Sequence, residues 1–223
     1  MDPETAEPAH DPDTAVPTSV TTGRMARRTV LARAGALGTG ALVASLAPHG
    51  VALAAPADDE GGGVPSSPTS GDLALLEQAM GVEASLSELY AATVEAGPPE
   101  ELAAVAEVVG QNHLAYAQAI AGMAGLSLKG ATPALYDPNV GAFTSSPDGF
   151  LQAARDLERQ AVATHTELLD RYESADAITA TASILVMEAR YATVWSDFLG
   201  TTDLEAVFAD DASPLPLSTT GGA

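Results

Sequence analysis

The chain predicts an all-α fold, and three observations predict it. Four stretches carry apolar residues at the 3.6-residue spacing of a buried helix face. Hydrophobic residues make up 46% of the 223, yet aromatics are only 4% and Ala is abundant, a composition that suits closely packed helices rather than a sheet-built core. Three of the four stretches also end on a Gly, at positions 97, 125 and 200, where helices stop.

Residues 1–24 are rich in Pro, Asp, Glu and Thr with hardly a large apolar side chain, so they read as a disordered extension that cannot offset its ordering entropy. Met25 stands as a second candidate start. Residues 25–54 join Arg27-Arg28 to an uncharged Ala/Gly/Leu stretch and the small residues Ala52-Leu53-Ala54, which resembles a twin-arginine (Tat) signal peptide with its cleavage site. The apolar run is long enough to span a bilayer, but its Gly content, Pro48 and His49 make a poor span, so export without stable membrane insertion is expected. Residues 55–71, with Gly61-Gly62-Gly63 and Pro65-Ser66-Ser67-Pro68, form a flexible linker by composition.

The folded domain is expected over 72–200. Its first helix runs from Asp72 to Ala96 with the inward stripe Leu76, Ala79, Met80, Glu83, Leu86, Tyr90, and Glu83 is out of place on it. The second begins at Glu100 and Glu101, acids the helix dipole favours, and carries Leu102, Val109, His113, Tyr116, Ile120 inward. Residues 126–145 show no period and make a long crossover. Ser146-Pro147-Asp148 opens a third helix to Tyr172 with Leu151, Ala154, Glu158, Ala161, Leu168 inward. The fourth, ending at Gly200, sets Glu188 among Ile184, Tyr191, Ala192 and Trp195. Residues 201–223 read as one acidic turn and a disordered tail.

Charge and composition exclude much. Thirty acids face nine bases, and beyond Ala54 the balance is 25 acids to five bases, which rules against nucleic acid or an anionic membrane as partner. Cys is absent, so disulfides, thiolate metal sites and Cys nucleophiles are excluded and any metal must use oxygen and imidazole. No Gly-x-Ser-x-Gly or phosphate-cradling Gly loop occurs in a fitting context.

What remains is a set of charged groups on apolar stripes. Buried charges are paired or bind metal, so Glu83, His113, Glu158 and Glu188 are the candidate ligands, a set suited to iron, manganese or zinc, of which iron or manganese is expected. The plain alternative is a polar core or internal ion pairing, for which Arg155, Arg159 and Arg190 are near in sequence. His165 follows Glu158 by seven residues, about 10 Å along a helix axis, and on that ground is placed outside the ligand set.

The spacing repeats: Glu83 and His113 are 30 apart, as are Glu158 and Glu188. Glu83-x6-Tyr90, the central His113, Phe150-Leu-x-Ala-Ala with Leu157-Glu158, and above all Ser183-Ile-Leu-x-x-Glu188-Ala-Arg-Tyr191 resemble the exported bacterial branch of the ferritin-like superfamily. The resemblance implies a four-helix bundle with its long crossover between the second and third helices, and a centre fed by one Glu and one Glu-x-x-His pair from each half. Carried over, the pairs fall on Gly110 to His113 and on Glu188 to Tyr191, so one carboxylate and one imidazole of a full di-iron set are missing. The expected function is an exported metal-binding bundle with a redox or iron-handling role at the cell envelope; the alternative is a metal-free binding or structural module. On the premise that Gly110 and Tyr191 both face the centre, Gly110→Glu with Tyr191→His is expected to rebuild a second metal position.

Overall fold

The computed structural model describes residues 63–208 and 211–216, all helix and connecting segments with no strand among them. The readings made on residues 1–62 and 217–223 lie outside the described residues. Six helices follow one another among the described residues: α1 (Ser70–Ala96), α2 (Glu100–Ala124), α3 (Pro133–Phe143), α4 (Pro147–Leu169), α5 (Ala175–Phe198) and α6 (Leu204–Phe208). No helix among the described residues is long and apolar enough to cross a membrane.

The bundle is two helical hairpins face to face. The first joins α1 to α2 through Gly97, whose φ of 72° ends α1 in the left-handed conformation only Gly adopts freely, followed by two prolines. The second joins α4 to α5 across residues 170–174, with Ser174 capping α5 through its side chain. Leu76, Met80, Leu86, Ile120, Leu168, Ile184 and Trp195 are almost wholly buried between the hairpins.

The crossover is not structureless. It contains α3, started by Pro133 at its first turn and carrying Pro138 inside. Two exposed acids and a buried threonine of α1 hold it: Glu88 accepts from the Ala131 N–H (2.8 Å), Glu77 pairs with Lys129, and Thr93 Oγ1 donates to the Phe143 carbonyl (3.0 Å). Phe143 then plugs into the core beside Tyr90 and Phe150. The sequence reading missed α3 because an eleven-residue helix docked by hydrogen bonds and one Phe needs no continuous apolar stripe.

Two further ties fix the ends. Thr69 and Asp72 form a capping box at the start of α1, and the same Asp72 carboxylate accepts from the Glu173 N–H (2.7 Å) in the α4–α5 turn. Beyond α6, where sequence reading expects only a tail, Leu215 is buried and its N–H donates to Thr164 Oγ1 on α4 (2.8 Å).

Candidate metal centre

The polar groups on the four apolar stripes meet in one stretch of the bundle core. Glu83 on α1, His113 on α2, Glu158 and His165 on α4, and Glu188 on α5 are each fully buried. His113 Nδ1 lies 2.7 Å from Glu83 Oε2 and its Nε2 3.2 Å from Glu158 Oε1. His165 Nδ1 lies 2.9 Å from Glu188 Oε2, and its Nε2 is 3.4 Å from Glu83 Oε1.

All four residues singled out from sequence are therefore in the cluster, and so is His165, which was placed outside it. The reason is helix direction. α1 and α4 run antiparallel, so Glu83 meets His165 while Tyr90, seven residues on, meets Glu158. The 10 Å between Glu158 and His165 separates two layers of one site rather than the site from its surroundings. One layer holds Glu83, His165 and Glu188; the other holds Glu158, Tyr90 and Trp195; His113 bridges them through its two ring nitrogens.

The two layers differ in what they leave unsatisfied. In the first, Glu83 Oε1, His165 Nε2 and Glu188 Oε1 are buried without hydrogen-bond partners, and one ligand atom from each of these residues lies within 4.8 Å of the others. Three buried residues that each leave a polar atom unpaired and that bring ligand atoms this close are what a cation would satisfy, since unpaired buried polar atoms are otherwise costly. In the second layer Tyr90 donates its O–H to Glu158 and accepts from Trp195 Nε1–H (2.9 Å), and only Glu158 Oε2 is left over. By the 30-residue repeat Tyr90 is the counterpart of His165 and His113 that of Glu188, so the second layer has exchanged an imidazole for a phenol and a carboxylate for an imidazole.

Protons compensate the buried carboxylates when no metal is bound. Burial alone would push the His113 imidazolium to titrate lower, but the Glu158 and Glu83 carboxylates at its two nitrogens outweigh this and hold it protonated well above the ordinary range. His165 follows the same logic: burial lowers it, Glu188 chiefly reverses that, and it titrates at about 9. Burial lifts Glu188 to about 7 despite His165 beside it. Burial, with Glu158 adding to it, raises the Tyr90 phenol well above its usual range.

The two positions read as missing ligands are also explained. Gly110 is buried, but it faces α1 rather than the centre: a Cβ there would lie 2.9 Å from Cβ of Tyr90. A carboxylate at this position has no room, and the expectation that Gly110→Glu would rebuild a metal position fails on that contact. Tyr191 does face inward, its ring edge-on to His113 (centroids 5.6 Å apart), but its hydroxyl accepts from Asn112 Nδ2 (2.8 Å) and meets Tyr116 (3.3 Å) instead of the carboxylates. Among the described residues Arg155 pairs with Asp156 and Arg159 with Asp211, rather than with the buried Glu83, Glu158 or Glu188.

A family model described as a ferritin-like domain matches residues 71–201. No curated protein and no solved structure matches the chain.

Proposed function

The chain belongs to the ferritin-like domain family, and from that premise we propose that it binds one divalent transition-metal ion, iron or manganese, between Glu83, His165 and Glu188. The observation that carries this reading is that Glu83, His165 and Glu188 bring ligand atoms within 4.8 Å of one another while Glu83 Oε1, His165 Nε2 and Glu188 Oε1 are left unpaired. Two carboxylates and an imidazole suit Fe(II) or Mn(II). Glu158 and His113 complete the charge: three carboxylates, one His113 imidazolium and one divalent ion sum to zero, with His165 as a neutral ligand. Such an ion, when bound, supplies one-electron redox or Lewis-acid chemistry.

This chain's own residues set the conditions for that chemistry. His113 holds Glu83 by Nδ1 and so orients the carboxylate that faces the ion, while Glu158 fixes the other ring nitrogen. Tyr90 and Trp195 close the far layer against a second ion, because the phenol and the indole N–H occupy the hydrogen-bonding positions there. One ion per chain, rather than a complete di-metal pair, follows.

The test is elemental analysis of the purified protein after reconstitution with Fe(II) or Mn(II) and removal of excess metal. About one equivalent per chain is expected, dropping below about a tenth in His165→Gln and Glu188→Gln. Sub-stoichiometric metal in the wild type under every condition supports the metal-free module instead. The export role rests on Arg27-Arg28 before the apolar stretch. Arg27→Lys with Arg28→Lys should trap precursor inside the cell; unchanged secretion removes the twin-arginine reading and the cell-envelope role with it.

A further inference from the structure

Three aromatic rings surround His113, and they differ in what lies behind them. Tyr90 stacks on the imidazole with centroids 5.7 Å apart and is wholly buried, whereas Tyr116 and Tyr191 stand edge-on at 6.1 and 5.6 Å and are 5% and 6% exposed. Of the three, only the two between α2 and α5 reach solvent. Next to them comes Asn112, half-buried on α2, whose side-chain amide donates to the Tyr191 hydroxyl (2.8 Å).

Little holds this wall shut. The Tyr116 and Tyr191 hydroxyls meet at 3.3 Å, longer than the usual O–H···O bond, with one O–H between them. Parting them breaks that long hydrogen bond and turns two side chains. The wall between α1 and α2 has no such freedom, because Gly110 is packed against Cβ of Tyr90.

The field of the centre reaches the same hydroxyls. Burial raises the Tyr116 phenol, and of the carboxylates that raise it further, Glu83 and Glu188 act more strongly than Glu158. These two belong to the layer with the convergent ligand atoms, so a cation at the phenols is drawn toward that layer. The phenol oxygens and the Asn112 amide are themselves neutral, a lining that suits passage of a divalent cation without holding it.

We propose that the Tyr116–Tyr191 hydroxyl pair is the gate through which the ion is exchanged, between α2 and α5 and past Asn112. The gate presupposes an ion at Glu83, His165 and Glu188, and it controls how fast that ion exchanges rather than how tightly it is held.

The chain has no Cys, so Asn112→Cys supplies a single thiol at the rim, which a bulky methanethiosulfonate blocks and a reductant reopens. Release is followed by mixing Mn(II)-loaded protein with excess pyridylazoresorcinol and reading the absorbance of the chelate; uptake is followed by the loss of the free Mn(II) paramagnetic resonance signal. Blocked Asn112→Cys should release and take up Mn(II) about tenfold more slowly or less, and reduction should restore both rates. At equilibrium it should still hold about one Mn(II) per chain. The same reagent on Gln152→Cys, exposed on α4, should change neither rate. Tyr191→Ala, which removes half of the gate, should speed release about tenfold or more; if it does not fold, the blocked and reopened Asn112→Cys protein decides alone. Rates unmoved by the block, or slowed equally by the block on Gln152→Cys, overturn the gate. A wild type that takes up no Mn(II) removes the ligand set and the gate with it, whereas normal uptake with unmoved rates removes the gate alone.

Discussion

Gly110 and Tyr90 are in contact across the α1–α2 interface, with room for no added methyl: a Cβ on Gly110 would stand 2.9 Å from Cβ of Tyr90 and 3.5 Å from the Ser87 carbonyl oxygen. Tyr90 Cβ is anchored to the backbone and cannot swing aside, so the helices would have to separate. Gly110→Ala gains up to about 1 kcal/mol of helix propensity but incurs an overpacking penalty of about 1–3 kcal/mol. A net loss of about 1 kcal/mol, or about 2–4 °C in Tm, is expected by thermal denaturation. Gly110→Glu should lose several-fold more without raising metal stoichiometry, even when combined with Tyr191→His; an extra equivalent of metal in that double variant would contradict the contact.

Asp72 is fully buried at the start of α1, where it ties α1 to the α4–α5 turn. Burial would raise its carboxyl, but the backbone N–H groups of Glu173 and Thr69, with the Ser174 and Thr69 hydroxyls, outweigh burial and hold it below its ordinary value of 3.8. A carboxyl lowered in the folded state contributes stability that is complete above the unfolded value and lost as pH falls through the folded one. Urea melts of the wild type should therefore weaken below about pH 4. Asp72→Ala, which removes the cap, should cost about 0.5–2 kcal/mol at pH 6 and flatten that acid decline. An acid limb unchanged in the variant would assign it to other carboxylates.

Much of the fold was legible because it rests on local signals. Stripes such as Leu76-Ala79-Met80 and caps such as Ser146 and Gly97 are written in consecutive residues, and each helix end lies within a few residues of its signal. The inward Glu83, His113, Glu158 and Glu188 were legible for the same reason, as charges on apolar faces. His165 was not, because its place depends on how α4 passes α1, and axial distance from Glu158 along one helix says nothing of which residue on an antiparallel neighbour sits at the same level. Had the halves been aligned antiparallel, with Glu83 opposite His165 and Tyr90 opposite Glu158, the two layers would have been visible. The Gly110 contact is tertiary in origin, and no spacing encodes it.

The two layers should respond differently to substitution. Tyr90→Phe removes the O–H that Glu158 accepts from and strands the buried Trp195 N–H, which loses its acceptor. Leaving such groups unsatisfied costs about 1–3 kcal/mol. The metal content should stay near that of wild type, since Tyr90 belongs to the layer without the three convergent ligand atoms. His165→Gln should show the reverse, with lost metal. Parallel denaturation and elemental analysis of both variants check this, and loss of metal in Tyr90→Phe would place the ion in the Glu158 layer.

Metal and protons compete for the first layer, and the direction of their pH dependence is opposite. In metal-free protein His165 titrates at about 9 against 6.5 for a free imidazole, so its contribution to stability is complete below 6.5 and disappears as pH rises through 9. Glu188, raised from 4.5 to about 7, also binds a proton more tightly when folded, and its contribution fades as pH rises from 4.5 through 7. Both groups make the chelated protein less stable on going from about pH 5 to 9, because deprotonation leaves three buried carboxylates opposed only by His113. Metal reverses the trend. Both ligands must give up their protons, so apparent affinity should rise about a hundredfold per pH unit while Glu188 and His165 are both protonated, below about pH 7, and about tenfold per unit from there until His165 is deprotonated near pH 9, and stabilisation by the ion grows with it through mass action. Thermal melts in EDTA and in excess Mn(II) across about pH 5.5 to 8.5 should show two curves that diverge as pH rises, the chelated one falling. The gap should close in His165→Gln. A gap that is constant with pH in the wild type would mean that the ion displaces no proton from His165, and that Glu83, His165 and Glu188 are not its ligands.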